Sequence, residues 1–267
     1  MSNNKDLAIE RKNEGNAWIS RDPNMAIELY EAAKAADPTY VVAYLNHGRV
    51  LAEKIGNPVG AIEQFNKAIE YDPDDIEKIK ADAYCCRGYA YRAIDNLELA
   101  IFDFSSALKR NPSYANAYFG RALALGETGS ETDLRTALRD LKNAIDCGLE
   151  NVANAHYVFG CLYTKLGNHE KAIEHYDISE KLGGPRADIY GNRGSAHRGA
   201  SDYYKASDKE KEHLNCALEN YRNWEKLLTD EGCDAEFLNA PGGPRDRIRS
   251  VQELMSLYES YPLYSNA

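Results

Sequence analysis

The stretch YCCRGYAYRAIDNLELAIFDFSSALKRNP, from Tyr84 to Pro112, contains the pattern from which the fold can be predicted. Its second half has Ala100, then Phe104 four residues on, then Ala107 three residues later, and it ends at the proline. These offsets place the three side chains on one face of a helix. Because proline cannot continue a helix and restricts the residue before it, the helix is predicted to end there.

The same pattern recurs elsewhere in the chain. The segment AIELYEAAKAADP ends at Pro38 and AIEQFNKAIEYDP ends at Pro73, with the same offsets between small and aromatic residues. Upstream of such helices an aromatic residue is followed four positions later by glycine. The pairs are Tyr44 and Gly48, Tyr84 and Gly88, and Tyr190 and Gly194. Glycine in a helix interior costs about 1 kcal/mol relative to alanine. Its recurrence therefore predicts a close approach of two helices, with an aromatic ring over the missing side chain.

These residues resemble those of the tetratricopeptide repeat, a two-helix unit with the pattern W-x2-L-G-x2-Y…A-x3-F…P. The register can be followed through six units. The fourth has Ala122 in place of glycine, and the sixth carries an insertion of about eleven residues around YKASDKEKEH. The resemblance implies an all-α fold, a right-handed superhelical solenoid of antiparallel helical hairpins that bury their apolar faces against their neighbours.

The repeat register predicts the organisation of the chain. A flexible N-terminus is expected at 1–6, and a loop and a capping helix with its tail are expected at 229–243 and 244–267. The solenoid spans 7–228, with units at about 7–38, 39–73, 74–112, 113–149, 150–184 and 185–228. The cap is placed by the string GGPR, which occurs at 183–186 and again at 242–245. Glycine ends a helix in a left-handed turn and proline opens the next one, so Pro244 is expected to begin a thirteenth helix.

Composition excludes several functional classes. The formal net charge is −10 and no basic stripe is present, so nucleic acid is not an expected partner. There is no apolar run long enough to span a bilayer and no signal peptide, so membrane insertion is not expected and the protein is expected to be cytoplasmic. The six cysteines lack metal-site spacing, and neither a metal nor another cofactor is expected. Catalytic motifs are also missing, so we do not expect an enzyme.

The resemblance places the first helix of each unit along a concave groove. The candidate binding residues on that side are Lys12, Asn16, Asn46, Arg49, Tyr89, Arg92, Phe119, Asn154, Tyr157 and Arg198. Amides can bind a peptide backbone, aromatic rings can anchor apolar side chains, and arginines can bind carboxylates. The sequence therefore predicts a protein–protein interaction scaffold that binds an extended peptide or partner segment in its groove.

Two alternative functions remain open at this level. Lys12, Asn16 and Asn46 match part of the carboxylate clamp with which co-chaperones of this family bind an acidic C-terminal tail. However, Asp82 and Cys86 occupy the places of the clamp's two further basic residues. The other alternative is a structural module that assembles with copies of itself, so a homo-oligomer is possible.

Histidines and one arginine are expected to be structural. In HEKAIEH, His169 and His175 are six residues apart and therefore lie on different helix faces, unlike a metal-binding pair at i and i+4. His47, His197 and Arg87 stand at positions that face neighbouring helices, so we expect them in the seams between helices.

Overall fold

The structure, a computed structural model, describes residues 2–71, 77–204 and 207–260. These residues form fourteen α-helices and no strand. The helices are α1 (Ser2–Trp18), α2 (Pro23–Ala36), α3 (Val41–Val50), α4 (Pro58–Glu70), α5 (Glu77–Ala93), α6 (Leu97–Arg110), α7 (Ala115–Thr128), α8 (Glu131–Asp146), α9 (Val152–Lys165), α10 (His169–Gly183), α11 (Ala187–Tyr203), α12 (Asp208–Asp230), α13 (Ala235–Asn239) and α14 (Pro244–Ser260). The prediction of an all-α fold of antiparallel helical hairpins is confirmed.

The chain divides into two compact units, unit 1 at Met1–Leu149 and unit 2 at Glu150–Ala267. Unit 1 contains the hairpins α1/α2, α3/α4, α5/α6 and α7/α8. Unit 2 contains α9/α10 and α11/α12, followed by α13 and α14, and α14 packs on α12. Each unit has its own apolar core, built from the faces that the small and aromatic residues share.

Side-chain caps start the second helix of each hairpin. In α2 the Asp22 carboxylate accepts hydrogen bonds from the backbone N–H groups of Asn24 and Met25. The other second helices begin in the same way, with the capping side chains Asn57, Asn96, Ser130, Asn168 and Ser207. Such caps satisfy backbone donors that the first turn leaves free, so the position of each hairpin turn is encoded locally.

The recurring glycines lie against buried aromatic rings. A Cβ atom on Gly48 would lie 2.5 Å from Phe65, and one on Gly160 would lie 2.4 Å from Tyr176. Both rings are almost fully buried. The close approach predicted from the glycine and aromatic pattern is therefore confirmed.

The second hairpin contains one residue more than the standard spacing. Ala61 follows Gly48 by thirteen positions, whereas Ala100 follows Gly88 by twelve. At its end α3 passes into a π-helical turn, Leu51–Ile55. A π turn is a wider form of the helix that accommodates a single inserted residue, and it is often found at functional sites.

The structure differs from the predicted organisation in two segments. The N-terminal segment 1–6 is helical from Ser2 onward, because α1 begins there. The predicted loop 229–243 holds the end of α12 and the short helix α13, which makes fourteen helices instead of thirteen. Helix α13 forms because the Asp234 side chain caps it by accepting a hydrogen bond from the Phe237 N–H. The boundary at 73/74 and the tail from 261 lie outside the described residues.

Candidate functional site

In unit 1 the first helices of two successive hairpins bring two predicted amides together. Asn46 Nδ2 on α3 donates a hydrogen bond to Asn16 Oδ1 on α1 at 3.0 Å, and the same oxygen accepts from the Tyr30 hydroxyl at 2.8 Å. These amides border a cavity of about 350 Å³, here called the polar cavity. Its lining residues are Asn16, Ile19, Asn46, Arg49, Val50, Glu53 and Lys54.

A second cavity of about 550 Å³, here called the apolar cavity, lies beside the first. Its lining residues are Arg49, Ala52, Glu53, Gly56, Pro58, Phe65, Cys86, Tyr89, Ala90 and Ala93. Arg49 and Glu53 line both cavities. Glu53 belongs to the π-helical turn, so the extra residue of the second hairpin helps to form the border between the cavities.

The Arg49 side chain is held by α5. Its Nε lies 3.4 Å from Cys86 Sγ, and its guanidinium lies 3.6 Å from the Asp82 carboxylate. Burial raises the pKa of the Cys86 thiol, which keeps the thiol neutral near pH 7. Asp82 offsets part of the positive charge that an acidic ligand would need, and this disfavours a carboxylate clamp at this place.

Tyr89 is fixed at the edge of the apolar cavity. Its hydroxyl donates to the Asn116 carbonyl at 2.9 Å, and its ring meets Phe104 edge-on at 4.9 Å between centroids. Burial raises the pKa of Tyr89, so the hydroxyl remains a donor near neutral pH. The ring is therefore a preorganised surface that loses little side-chain freedom when a ligand packs on it.

Three other predicted residues of unit 1 do not line either cavity. Lys12 Nζ donates to Asn13 Oδ1 at 2.6 Å, within α1. The Arg92 guanidinium binds Glu127 Oε1 at 2.6 Å and so connects α5 to α7. Phe119 is half-buried on α7.

The predicted residues of unit 2 are engaged separately. The Tyr157 hydroxyl accepts a hydrogen bond from Asn192 Nδ2 at 2.8 Å, and Arg198 forms an ion pair with Asp202 at 2.7 Å. Asn154 is half-buried in the first turn of α9. The structure does not bring these residues together into a site within unit 2.

Sequence reasoning missed a cavity of about 690 Å³ in unit 2, here called the insertion cavity. It is lined by Leu166, Gly167, Asn168, His169, Glu170, Gly199, Ala200, Asp202, Tyr203 and Tyr204. The insertion in the sixth unit lengthens α11 as far as Tyr203 and makes α12 23 residues long. The sequence feature that could have indicated this cavity is the pair Tyr203 and Tyr204, which follows Asp202 in the insertion.

Sequence reasoning also missed a recurring pair within the hairpins. Arg87, which directly precedes Gly88, binds Asp103 with two hydrogen bonds of 2.7 and 2.8 Å. Arg121 binds Asp140 at the equivalent positions, at 2.7 and 2.9 Å. Both aspartates are almost fully buried, and the prediction that Arg87 lies in a seam is confirmed.

The histidines also lie in seams, as predicted for His47 and His197. His47 Nδ1 lies 2.8 Å from Lys34 Nζ, and His197 Nδ1 lies 3.0 Å from His213 Nδ1. Burial lowers the pKa values of His47 and His197 to about 4. In the part of the chain that the structure describes, no group of three or more potential ligands is arranged to hold a metal ion. None of the described helices is long and apolar enough to cross a membrane.

Comparisons with known proteins agree on the repeat. Sequence models of the tetratricopeptide repeat match residues 41–75, 81–114 and 153–177. A tetratricopeptide repeat protein 36 homolog of Drosophila melanogaster is 40% identical over 55 residues, which are 21% of this chain and 30% of the homolog. A TPR repeat-containing protein of Methanocaldococcus jannaschii is 30% identical over 124 residues, covering 44% of this chain and 35% of that protein.

The chain thus spans about a third or less of the length of the curated relatives that it matches. Among solved structures, PilW, a type IV pilus biogenesis factor, superposes with a TM-score of 0.69. The superposition covers 92% of this chain and 98% of PilW at 13% sequence identity. At that identity the likeness concerns the fold alone.

Proposed function

Because the chain is a tetratricopeptide repeat protein, built from a repeat that serves as a protein–protein interaction scaffold, we propose that unit 1 binds an extended segment of a partner protein. The binding surface is the pair formed by the polar cavity and the apolar cavity. The observation that carries this proposal is that the cavities share Arg49 and Glu53. A single extended segment that crosses these two side chains can occupy both cavities.

The chemistry of the two cavities supports a peptide ligand. Asn16 and Asn46 carry amide groups that can donate to and accept from a peptide backbone. In the neighbouring cavity, Phe65 and Tyr89 stand beside alanines and a proline, which suits one apolar side chain of the ligand. Polar groups would then fix the register of the segment while the apolar anchor contributes most of the affinity.

We further propose that all six hairpins are repeats and that α14 caps the last one. Three of them overlap the matched segments, and the others correspond to 7–38, 113–149 and 185–228. On α14, Val251 is almost fully buried in a cluster with Tyr221 and Leu214 of α12. Covering the open end of the last hairpin is what a terminal cap must do. The proposal assigns no reaction to the chain, since proteins of this repeat family are generally scaffolds.

The test is to fill the apolar cavity without disturbing the core. Ala93 is exposed and lines that cavity, so Ala93→Trp should block it and lower partner binding at least tenfold. Ala17→Trp, at an exposed position that lines neither cavity, is the matched control. Partners are captured with the wild-type chain, identified by mass spectrometry, and mapped to a peptide whose Kd is measured by calorimetry.

Arginine variants locate the site more closely. Arg49→Ala should weaken binding of the mapped peptide. Arg92→Ala should change the Kd by less than about twofold from the wild-type value, because Arg92 lines neither cavity. Equal binding by wild type, Ala93→Trp and Arg49→Ala would overturn the proposed placement. Circular dichroism melting curves of all variants check that the fold is retained.

A further inference from the structure

One side of the insertion cavity of unit 2 is built by a chain segment that the standard repeat lacks. The lengthened end of α11 supplies Asp202 and Tyr203, with Tyr204 directly after it, and the turn before α10 supplies the opposite side. The start of α12 also reaches back to this turn, where Lys209 contacts Glu170. Tyr204 and Lys209 therefore both contact the preceding hairpin through Glu170.

Glu170 is the centre of the contacts at this cavity. Its Oε1 accepts hydrogen bonds from the Tyr204 hydroxyl at 2.7 Å and from Lys209 Nζ at 3.2 Å. These hydrogen bonds, from Tyr204 first and Lys209 second, lower the pKa of Glu170, so the carboxylate is ionised near neutral pH. His213, which is 8% exposed, has its Nε2 atom 3.8 Å from the same oxygen, and this buried nitrogen makes no hydrogen bond to any described residue.

Aromatic rings form the second element of the cavity. Tyr203 is 83% exposed, a large fraction for an aromatic side chain in a helix. It meets the Tyr204 ring edge-on at 5.1 Å between centroids. The face of a tyrosine ring attracts cations, and exposed tyrosines are typical of binding surfaces.

Lys209 shows which kind of group fits between these elements. Its ammonium nitrogen lies 3.9 Å from the centre of the Tyr204 ring while it binds the Glu170 carboxylate. Its side chain is 49% exposed, so both contacts are made at the surface. Exposed ion pairs and exposed cation–π contacts are weak, so a second cation can displace Lys209. The other acid of the cavity, Asp202, is paired with Arg198 and leaves Glu170 as the carboxylate that a ligand can take over.

We propose that the insertion cavity binds a lysine or arginine side chain of a partner polypeptide, and that Lys209 occupies the place of this side chain when no partner is bound. The net charge of −10 attracts basic segments toward the chain before any contact forms. This site is separate from the two cavities of unit 1, and it stands whether or not those cavities bind a peptide.

The first experiment removes the internal competitor. Fluorescein-labelled pentalysine and pentaarginine are titrated into the full chain, and binding is followed by fluorescence anisotropy at about 0.1 M salt. Lys209→Ala should tighten binding about threefold to tenfold, because the probe no longer displaces a bound ammonium group. Lys211→Ala removes the same charge from an exposed position on the same helix and should change the Kd by less than about twofold.

The second experiment removes the acceptor and the ring. Glu170→Gln and Tyr203→Ala should each weaken binding of the probe by a factor of about three or more. Glu212→Gln, at an exposed position on α12, should have little effect on the Kd. Equal effects of Lys209→Ala and Lys211→Ala would overturn the proposal, since they would show a general charge effect. No saturable binding of either probe to the Lys209→Ala chain would also overturn it. A stronger response to pentalysine or to pentaarginine identifies the preferred side chain.

Discussion

The hairpins α7/α8 of unit 1 and α9/α10 of unit 2 are built on the same repeat, but they fill one position of it differently. In unit 1 the pair Arg121 and Asp140 joins the two helices of the hairpin α7/α8 by a buried ion pair. In the hairpin α9/α10 of unit 2 the equivalent residues are Phe159 and His175, whose rings stack at 4.6 Å between centroids. This position of the repeat therefore accommodates an ion pair in one hairpin and stacked rings in another.

This difference has consequences for stability. Removing one partner of a buried ion pair strongly destabilises a protein, because the remaining charge stays buried without compensation. Stacked rings depend on packing, and an aromatic pair contributes about 0.5–1.5 kcal/mol beyond its buried area. The chain offers one tryptophan in each unit, Trp18 and Trp224, so single-tryptophan variants can follow the unfolding of each unit by fluorescence.

The largest effect is expected from breaking the ion pair of unit 1. Asp140→Ala removes both carboxylate hydrogen bonds of Arg121 and leaves the Ser105 hydroxyl and the Tyr118 ring as its contacts, and we expect a loss of about 3–5 kcal/mol in the free energy of unfolding. The measurement is urea unfolding monitored by Trp18 in the Trp224→Phe background. Arg135→Ala breaks an exposed pair with Glu131 and should cost less than about 1 kcal/mol. A similar cost for both variants would show that the buried pair has no special importance.

A smaller loss in the free energy of unfolding, similar in both units, is expected from replacing the helix glycines with alanine. Gly48→Ala in unit 1 and Gly160→Ala in unit 2 would each push a methyl group against a buried ring. Overpacking of this kind costs about 1–3 kcal/mol, which outweighs the better helix propensity of alanine. The unfolding transitions of both tryptophan reporters check this prediction. A stabilised protein in either case would mean that the ring moves aside.

The smallest change in the free energy of unfolding is expected from lowering the pH. This change should be larger in unit 2 than in unit 1. Burial lowers the pKa values of His156, His175 and His197 in unit 2, against His47 alone in unit 1. The unfolded chain then binds more protons than the folded chain, so stability falls as the pH drops below the usual histidine pKa.

For His197, whose pKa is lowered to about 4, the change from pH 7 to pH 5 is expected to remove about 1–2 kcal/mol. Urea unfolding followed through Trp224 at several pH values measures it. His197→Asn should flatten the curve, and an equal pH response of the two units would contradict the comparison.

Much of the fold was predictable from the sequence because the signals are local. The offsets of Ala100, Phe104 and Ala107 lie within one helix, and the caps and prolines act within a few residues of each turn. The spacing between Gly48 and Ala61 already contained the extra residue of the second hairpin, but the sequence did not reveal that a π-helical turn accommodates it.

The site was predictable only in part. Asn16, Asn46, Arg49 and Tyr89 line the cavities of unit 1, because a helical register places such residues on one face. Arg92 was at an equally favourable register position, but Glu127, 35 residues away, binds it instead. The sequence contains no periodic signal for such a partner.

Sequence alone was sufficient to establish the repeat, the helical hairpins and the face on which candidate residues lie. Each of these follows from the periodicity of the helix and from residues that start or stop it. Only the tertiary structure decided which polar groups are bound to one another and which border a cavity. Lys209 and Glu170 meet across 39 residues because the start of α12 reaches the first turn of α10. Such contacts depend on how whole helices pack, which no local pattern encodes.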